Sequence, residues 1–137
     1  MNQRIAHIAL VVRDYDEAIE FYTKKIGFIL VEDTRLTDEK RWVLISPKGN
    51  AGTCLLLAKA TDERQIDSIG NQTGGRVFLF LFTDDISRDY HTMMGSHVHF
   101  TKTPKQEPYG TVAVFQDLYG NLWDLIQPHD KNVSKRV

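Results

Sequence analysis

The sequence predicts an α+β fold made of two copies of one β-α-β-β-β module, and three observations carry that expectation. An alternating apolar strand ending in an acid, His7-Ile8-Ala9-Leu10-Val11-Val12-Arg13-Asp14, precedes a helical pattern that stops at Gly27. The same plan returns in Phe78-Leu79-Phe80-Leu81-Phe82-Thr83-Asp84-Asp85, before a helical pattern that stops at Gly95; setting Asp14 against Asp85 gives an offset of 71. Further on, Gly52-Thr53-Cys54-Leu55-Leu56 matches Gly120-Asn121-Leu122-Trp123-Asp124. Self-similarity of this kind constrains a fold more than any single motif.

Each element has its own reason. Residues Arg4 to Val12 alternate at the period of a strand, with apolar residues on both faces and His7 as the one polar interior residue. Asp14 reads as a helix N-cap, with Glu17 three residues on as its capping-box partner. Ala18, Ile19, Tyr22 and Ile26 then recur at helical spacing, and Gly27 supplies the left-handed residue that ends the helix. Strands are expected at Phe28–Thr34, Arg41–Ser46 and Thr53–Lys59, with a turn over 47–52. The first module spans 4–59. Residues 60–75 are polar, carry glycine and lack a period, so they read as a linker with a short helix around Glu63–Ile69. The second module, 76–127, repeats the order: strand Phe78–Thr83, helix Asp85–Met94 and strand Val98–Thr101. A loop at Pro104–Pro108 follows, then strands Thr111–Gln116 and Leu122–Gln127 around a Gly-Asn turn.

A chain of 137 residues suffices for one compact domain with a real core. A formal net charge of -1 argues against nucleic acid or an anionic membrane surface as partner. Lys131, Lys135 and Arg136 read as a solvated tail. The apolar runs are strand-sized and Met1–Arg4 shows no signal-peptide pattern, so a cytoplasmic protein is expected. Cys54 is the single cysteine, which rules out an intrachain disulfide; with apolar neighbours and no adjacent base, it reads as a buried structural thiol.

The strand opening with His7, the Asp-capped helix ending in Gly27-Phe28, and the late block Phe115-Gln116-Asp117-Leu118-Tyr119-Gly120-Asn121-Leu122-Trp123-Asp124-Leu125 together resemble the vicinal oxygen chelate superfamily. That superfamily holds glyoxalase I, bleomycin-resistance proteins, fosfomycin-resistance transferases, methylmalonyl-CoA epimerase and extradiol dioxygenases. The resemblance runs from about Arg4 to Gln127 and marks the family better than the reaction. It implies two βαβββ modules forming a cup-shaped mixed sheet. It also implies divalent-metal ligands (zinc, nickel, iron or manganese) from the first and last strand of each module. Transferred by the repeat, those positions are His7, Leu56, Phe78 and Asp124. His7 and Asp124 can ligate a metal; Leu56 and Phe78 cannot, and a catalytic site normally needs three protein ligands.

Candidate functional residues follow. His7 and Asp124 are the candidate catalytic pair, either as metal ligands or as a metal-free acid and base facing one cavity. His97 and His99 flank Val98 and would share a strand face, a spacing that could pair two ligands, although two half-exposed strand histidines is the reading that short motifs of this kind favour. Arg35 and Arg41 bracket the second-to-third strand loop and could hold an anionic substrate by bidentate contact, with a solvated loop pair as the plainer reading. Trp42 could line a cavity and Tyr109-Gly110 could lid one. Two functions from different classes remain open. One is a glyoxalase-like lyase or isomerase acting on a small carbonyl or thioester compound. The other is a metal-free protein that binds and sequesters a small molecule, with an extradiol dioxygenase third. Open sheet edges favour a homodimer.

Overall fold

In the computed structural model, residues 1–49 and 52–129 are described, and the basic tail at Lys131, Lys135 and Arg136 lies outside them. The chain divides into two compact units, Met1–Gln72 and Thr73–Val137. Among the described residues, no helix is long and apolar enough to cross a membrane.

In the first unit the elements run β1 (His7–Val12), α1 (Tyr15–Glu20), β2 (Ile29–Arg35), β3 (Arg41–Ser46), β4 (Cys54–Lys59) and α2 (Glu63–Ser68). Asp14 caps α1 by accepting from the Glu17 amide at 2.9 Å. The helix continues as a wider π-helical segment over Phe21–Ile26, which Gly27 ends at φ 89°. The sheet order is β1-β4-β3-β2: β1 lies parallel to β4, and β2, β3 and β4 are successively antiparallel. Leu10, Val12, Val43, Ile45, Leu55 and Leu57 are buried together with Ala18, Phe21 and Tyr22 of the helix, so this sheet face is the one the helix covers. The Gln72 side chain accepts from the Val11 amide and donates to the Ser68 carbonyl. That ties the stretch after α2 back to the free edge of β1.

The second unit repeats this topology. Its elements are β5 (Val77–Phe82), α3 (Ile86–Gly95), β6 (Phe100–Glu107), β7 (Gly110–Gln116) and β8 (Leu122–Pro128). The sheet order is β5-β8-β7-β6, with β5 parallel to β8. Leu125, Ala113, Phe115 and Trp123 are buried with Ile86 and Met93 of α3, and Trp123 stacks on Phe115 at 5.9 Å.

Two sequence expectations are corrected here. Gly95 does not end α3 in a left-handed conformation; His97 does, at φ 66°. The Val98 amide reaches the Met93 carbonyl and the His97 amide reaches that of Met94, both at 3.0 Å. This is a Schellman motif in which buried Val98 packs toward buried Met93. Second, the stretch expected as a loop at Pro104–Pro108 lies largely within β6, which runs from Phe100 to Glu107. The proline hid the strand because it cannot donate to a ladder. An edge strand tolerates it, and β6 is an edge interrupted twice by register shifts.

The late block turns out to be a structural lock. Asp117 and Asn121 are buried; one Asp117 oxygen accepts from the Tyr119 and Asn121 amides and the other from the Asn121 side chain, all at 2.9 Å. Gly120, at φ 97°, supplies the conformation the turn requires.

Candidate functional site

Strand register shows which side chains share a face. In the first unit, one continuous row on the face away from α1 reads Glu32, Leu44, Leu56, Ala9 across the four strands. His7 lies on this same face, with Cys54 as its register partner and the Trp42 ring edge-on at 5.9 Å. Cys54 is half-buried rather than buried. Its histidine neighbour comes from 47 positions away through parallel pairing, so no reading of adjacent residues reveals it.

In the second unit, the equivalent row reads Lys102, Val114, Asp124, Phe80. The next row reads Lys105, Val112, Ile126, Phe82. An open depression of about 710 Å³ lies over this face. Lys102, Lys105, Tyr109, Val112, Val114 and Asp124 are among the residues that line it. Asp124 is half-buried, and loss of water around it pushes its carboxyl above the usual carboxylate range, with the Lys102 charge opposing that push. Tyr109 sits in the turn between β6 and β7, so a residue singled out as a lid does border the same depression as Asp124.

The other candidates are placed as follows. Arg41 sits beside α1, where its guanidinium grips Asp33 through two hydrogen bonds, meets Asp16 at 2.9 Å and stacks over Tyr15. The Arg41 hydrogen bond lowers the Asp33 carboxyl below its ordinary value, and Asp33 raises that of Arg41 in turn. Arg41 is therefore spent on structure, and it lies on the face opposite Trp42 and His7. Arg35, its register partner at the end of β2, is exposed. His97 occupies the helix-ending turn and His99 precedes β6, so the two do not form a ligand pair on one strand. Gln127 accepts from the Ile86 amide at 2.9 Å and thereby serves the start of α3. Sequence reading misses Lys102 and Lys105, because Lys105 falls in the stretch expected as a loop and Lys102 lies just past the expected end of the strand at Thr101.

Register also tests the equivalences used to place metal ligands. Leu56 faces Ala9 and Asp124 faces Phe80, so Leu56 and Asp124 occupy matching positions. Phe78 is the additional residue where the β5–β8 register shifts, its ring meets Trp123 edge-on at 6.1 Å, and Val77 pairs with Leu122. Two of the four positions are hydrocarbon by either count. Among the described residues, no three His, Cys, Asp or Glu side chains cluster to hold a metal ion. The donor set of the described residues does not fit a divalent-metal centre at these positions.

The chain is similar to several known proteins. The sequence model of the Glyoxalase/Bleomycin resistance protein/Dioxygenase superfamily matches residues 4–125. An uncharacterized protein of Shewanella frigidimarina is 59% identical over 132 residues, covering 96% of this chain and 98% of that protein. Among solved structures, UcmS2 is similar at a TM-score of 0.80 and 30% identity, over 92% of this chain and 98% of that one. TnmS3, an antibiotic binding protein from Streptomyces sp. CB03234, is similar at a TM-score of 0.74 and 29% identity, over 93% and 97%.

Proposed function

Since the chain belongs to the Glyoxalase/Bleomycin resistance protein/Dioxygenase superfamily, we propose that it binds a small organic molecule on the Asp124 face of its second unit. The observation that carries this reading is the open depression there. Its lining sets Val112, Val114, Pro104 and the Tyr109 ring beside the charged side chains of Lys102, Lys105, Glu107 and Asp124, so apolar contact and polar groups that can orient a ligand converge on one concave surface. The resemblance to TnmS3, described as an antibiotic binding protein, supports a ligand that is held rather than converted. A thermal-shift screen of aromatic and amphipathic compounds tests it, followed by calorimetry on the hits. Saturable binding that Val114→Lys abolishes without unfolding the protein is the expected result. Binding unaffected by Val114→Lys would move the site elsewhere.

One observation favours a second reading, a glyoxalase-like lyase or isomerase acting on a small carbonyl or thioester compound. Burial holds the Asp124 carboxyl above its ordinary value, on the wall of the depression where it could exchange a proton with a bound molecule. Turnover of a hemithioacetal that falls in Asp124→Asn and in His7→Ala would support it. Absence of turnover in the wild type across pH 5–9 would sink it.

The same reading includes a homodimer. The edge strand β2 is exposed along its whole length and presents Ile29, Leu30 and Val31 in succession, a surface that a second chain would cover.

A further inference from the structure

We propose that the ligand of the second unit is an amphipathic anion: an apolar, aromatic body lying over Val112 and Val114, with one negative group held by Lys102. This inference rests on the small-molecule reading above and names the chemical class that the site selects.

Four observations converge. The two rows of this sheet face share one polarity. Each begins with a lysine on the edge strand β6, crosses valine on β7 and then Asp124 or Ile126 on β8, and ends at an exposed phenylalanine on β5. Phe80 and Phe82 are 57% and 39% exposed, high values for side chains that gain from burial, so the apolar end of the face has surface left to cover. The lysines differ in their engagement. Lys105 reaches Glu107 at 4.0 Å, whereas Lys102 makes no ion pair among the described residues. Asp124, the other charged group of its row, lies two strands away, roughly 10 Å by ordinary strand spacing. Finally, the two register shifts of β6, around Thr101 and between Lys102 and Lys105, place Thr101, Thr103 and Pro104 in the wall of the depression. Bulges of this kind re-aim edge side chains. A cation at one end, valines beside it and exposed rings beyond Asp124 and Ile126 suit a flat apolar body of at least two fused rings that carries its negative group at the lysine end. Lysine suits the anion as a compact point charge, without demanding the planar geometry an arginine would select.

The test uses three probes with one ring system: 2-naphthoate, neutral 2-naphthamide and cationic 2-(aminomethyl)naphthalene. Each is titrated calorimetrically into the full-length protein at low salt. The wild type is expected to bind naphthoate about tenfold tighter than naphthamide and to bind the cation weakest, with the preference shrinking as salt rises. Lys102→Met, which keeps the side-chain length, should bring naphthoate to within about twofold of naphthamide and leave naphthamide unchanged. Phe80→Ala should weaken both by a similar factor. Lys40→Met, in the first unit, should change nothing. Naphthamide binding as well as naphthoate in the wild type, or a preference that survives Lys102→Met, would overturn the anion assignment and leave small-molecule binding intact. If Phe80→Ala has no effect on either probe, the placement of the aromatic body falls. Failure of all three probes to bind would overturn this inference, and failure of the broader ligand screen as well would take the binding reading with it.

Discussion

At the residue scale, Asp124 and His97 show how a backbone frame sets the worth of a side chain. Burial raises the Asp124 carboxyl, more than Lys102 offsets. An acid whose folded-state pKa lies above its unfolded value of 3.8 binds more protons folded than unfolded between those two values. Its contribution to stability is therefore greatest below the unfolded value and is lost as pH rises through the folded one. Asp124→Asn should be more stable than the wild type at pH 7, with the gap closing as pH falls below about 4. Urea denaturation at a series of pH values checks this; a gap that widens in acid would contradict it. His97 pays for a left-handed conformation that glycine adopts freely. His97→Gly should gain about 1 kcal/mol, since that is the penalty a side chain carries there. Equal denaturation midpoints would mean that the imidazole makes a compensating contact.

The edge strands β2 and β6 both carry register shifts, and the central strands β3, β4, β7 and β8 pair regularly with one another. At the scale of these elements, irregularity is where the candidate site acquires its wall. The β7–β8 ladder, in contrast, tolerates little. A Cβ on Gly110 would stand 2.5 Å from the Gln127 carbonyl oxygen, closer than atoms approach. Gly110→Ala should cost about 2 kcal/mol, as overpacking does, and loosen the Pro108–Tyr109 turn that borders the depression. Amide exchange at Thr111 and Gln127 would report it, and protection unchanged from wild type would show that the strands part without cost. The elements legible in sequence were the regular ones. Arg41–Ser46 was read to its last residue, because alternation and the turn after it both mark its ends. β6 was misread because proline, lysine and threonine carry no apolar period when a strand is an edge with one face in water.

For the whole molecule, the repeat is the governing fact. Both units place their strands in the same order with the same directions, so the offset seen in sequence corresponds to a repeated topology. The copies diverge, among other places, in what the shared frame presents: Glu32, Leu44, Leu56 and Ala9 in one row, against Lys102, Val114, Asp124 and Phe80 in the other. If a second chain covers β2, sedimentation velocity should give a dimer, and Leu30→Lys with Val31→Lys should shift it to monomer while preserving the fold. A wild-type monomer at 100 micromolar concentration would refute the dimer.

The sequence alone determined the family, the α+β class and the module order, because hydrophobic period, caps and turn residues are local properties repeated twice. It also identified Asp124 as a residue of interest and Leu56 as its counterpart. Tertiary structure alone decided that Lys102 shares a face with Asp124 and Phe80, that Cys54 neighbours His7, and that Arg41 is committed to Asp33 and Asp16. Each of these depends on register between strands distant in sequence. A shift of one residue would turn every side chain to the opposite face, and no local pattern encodes that choice.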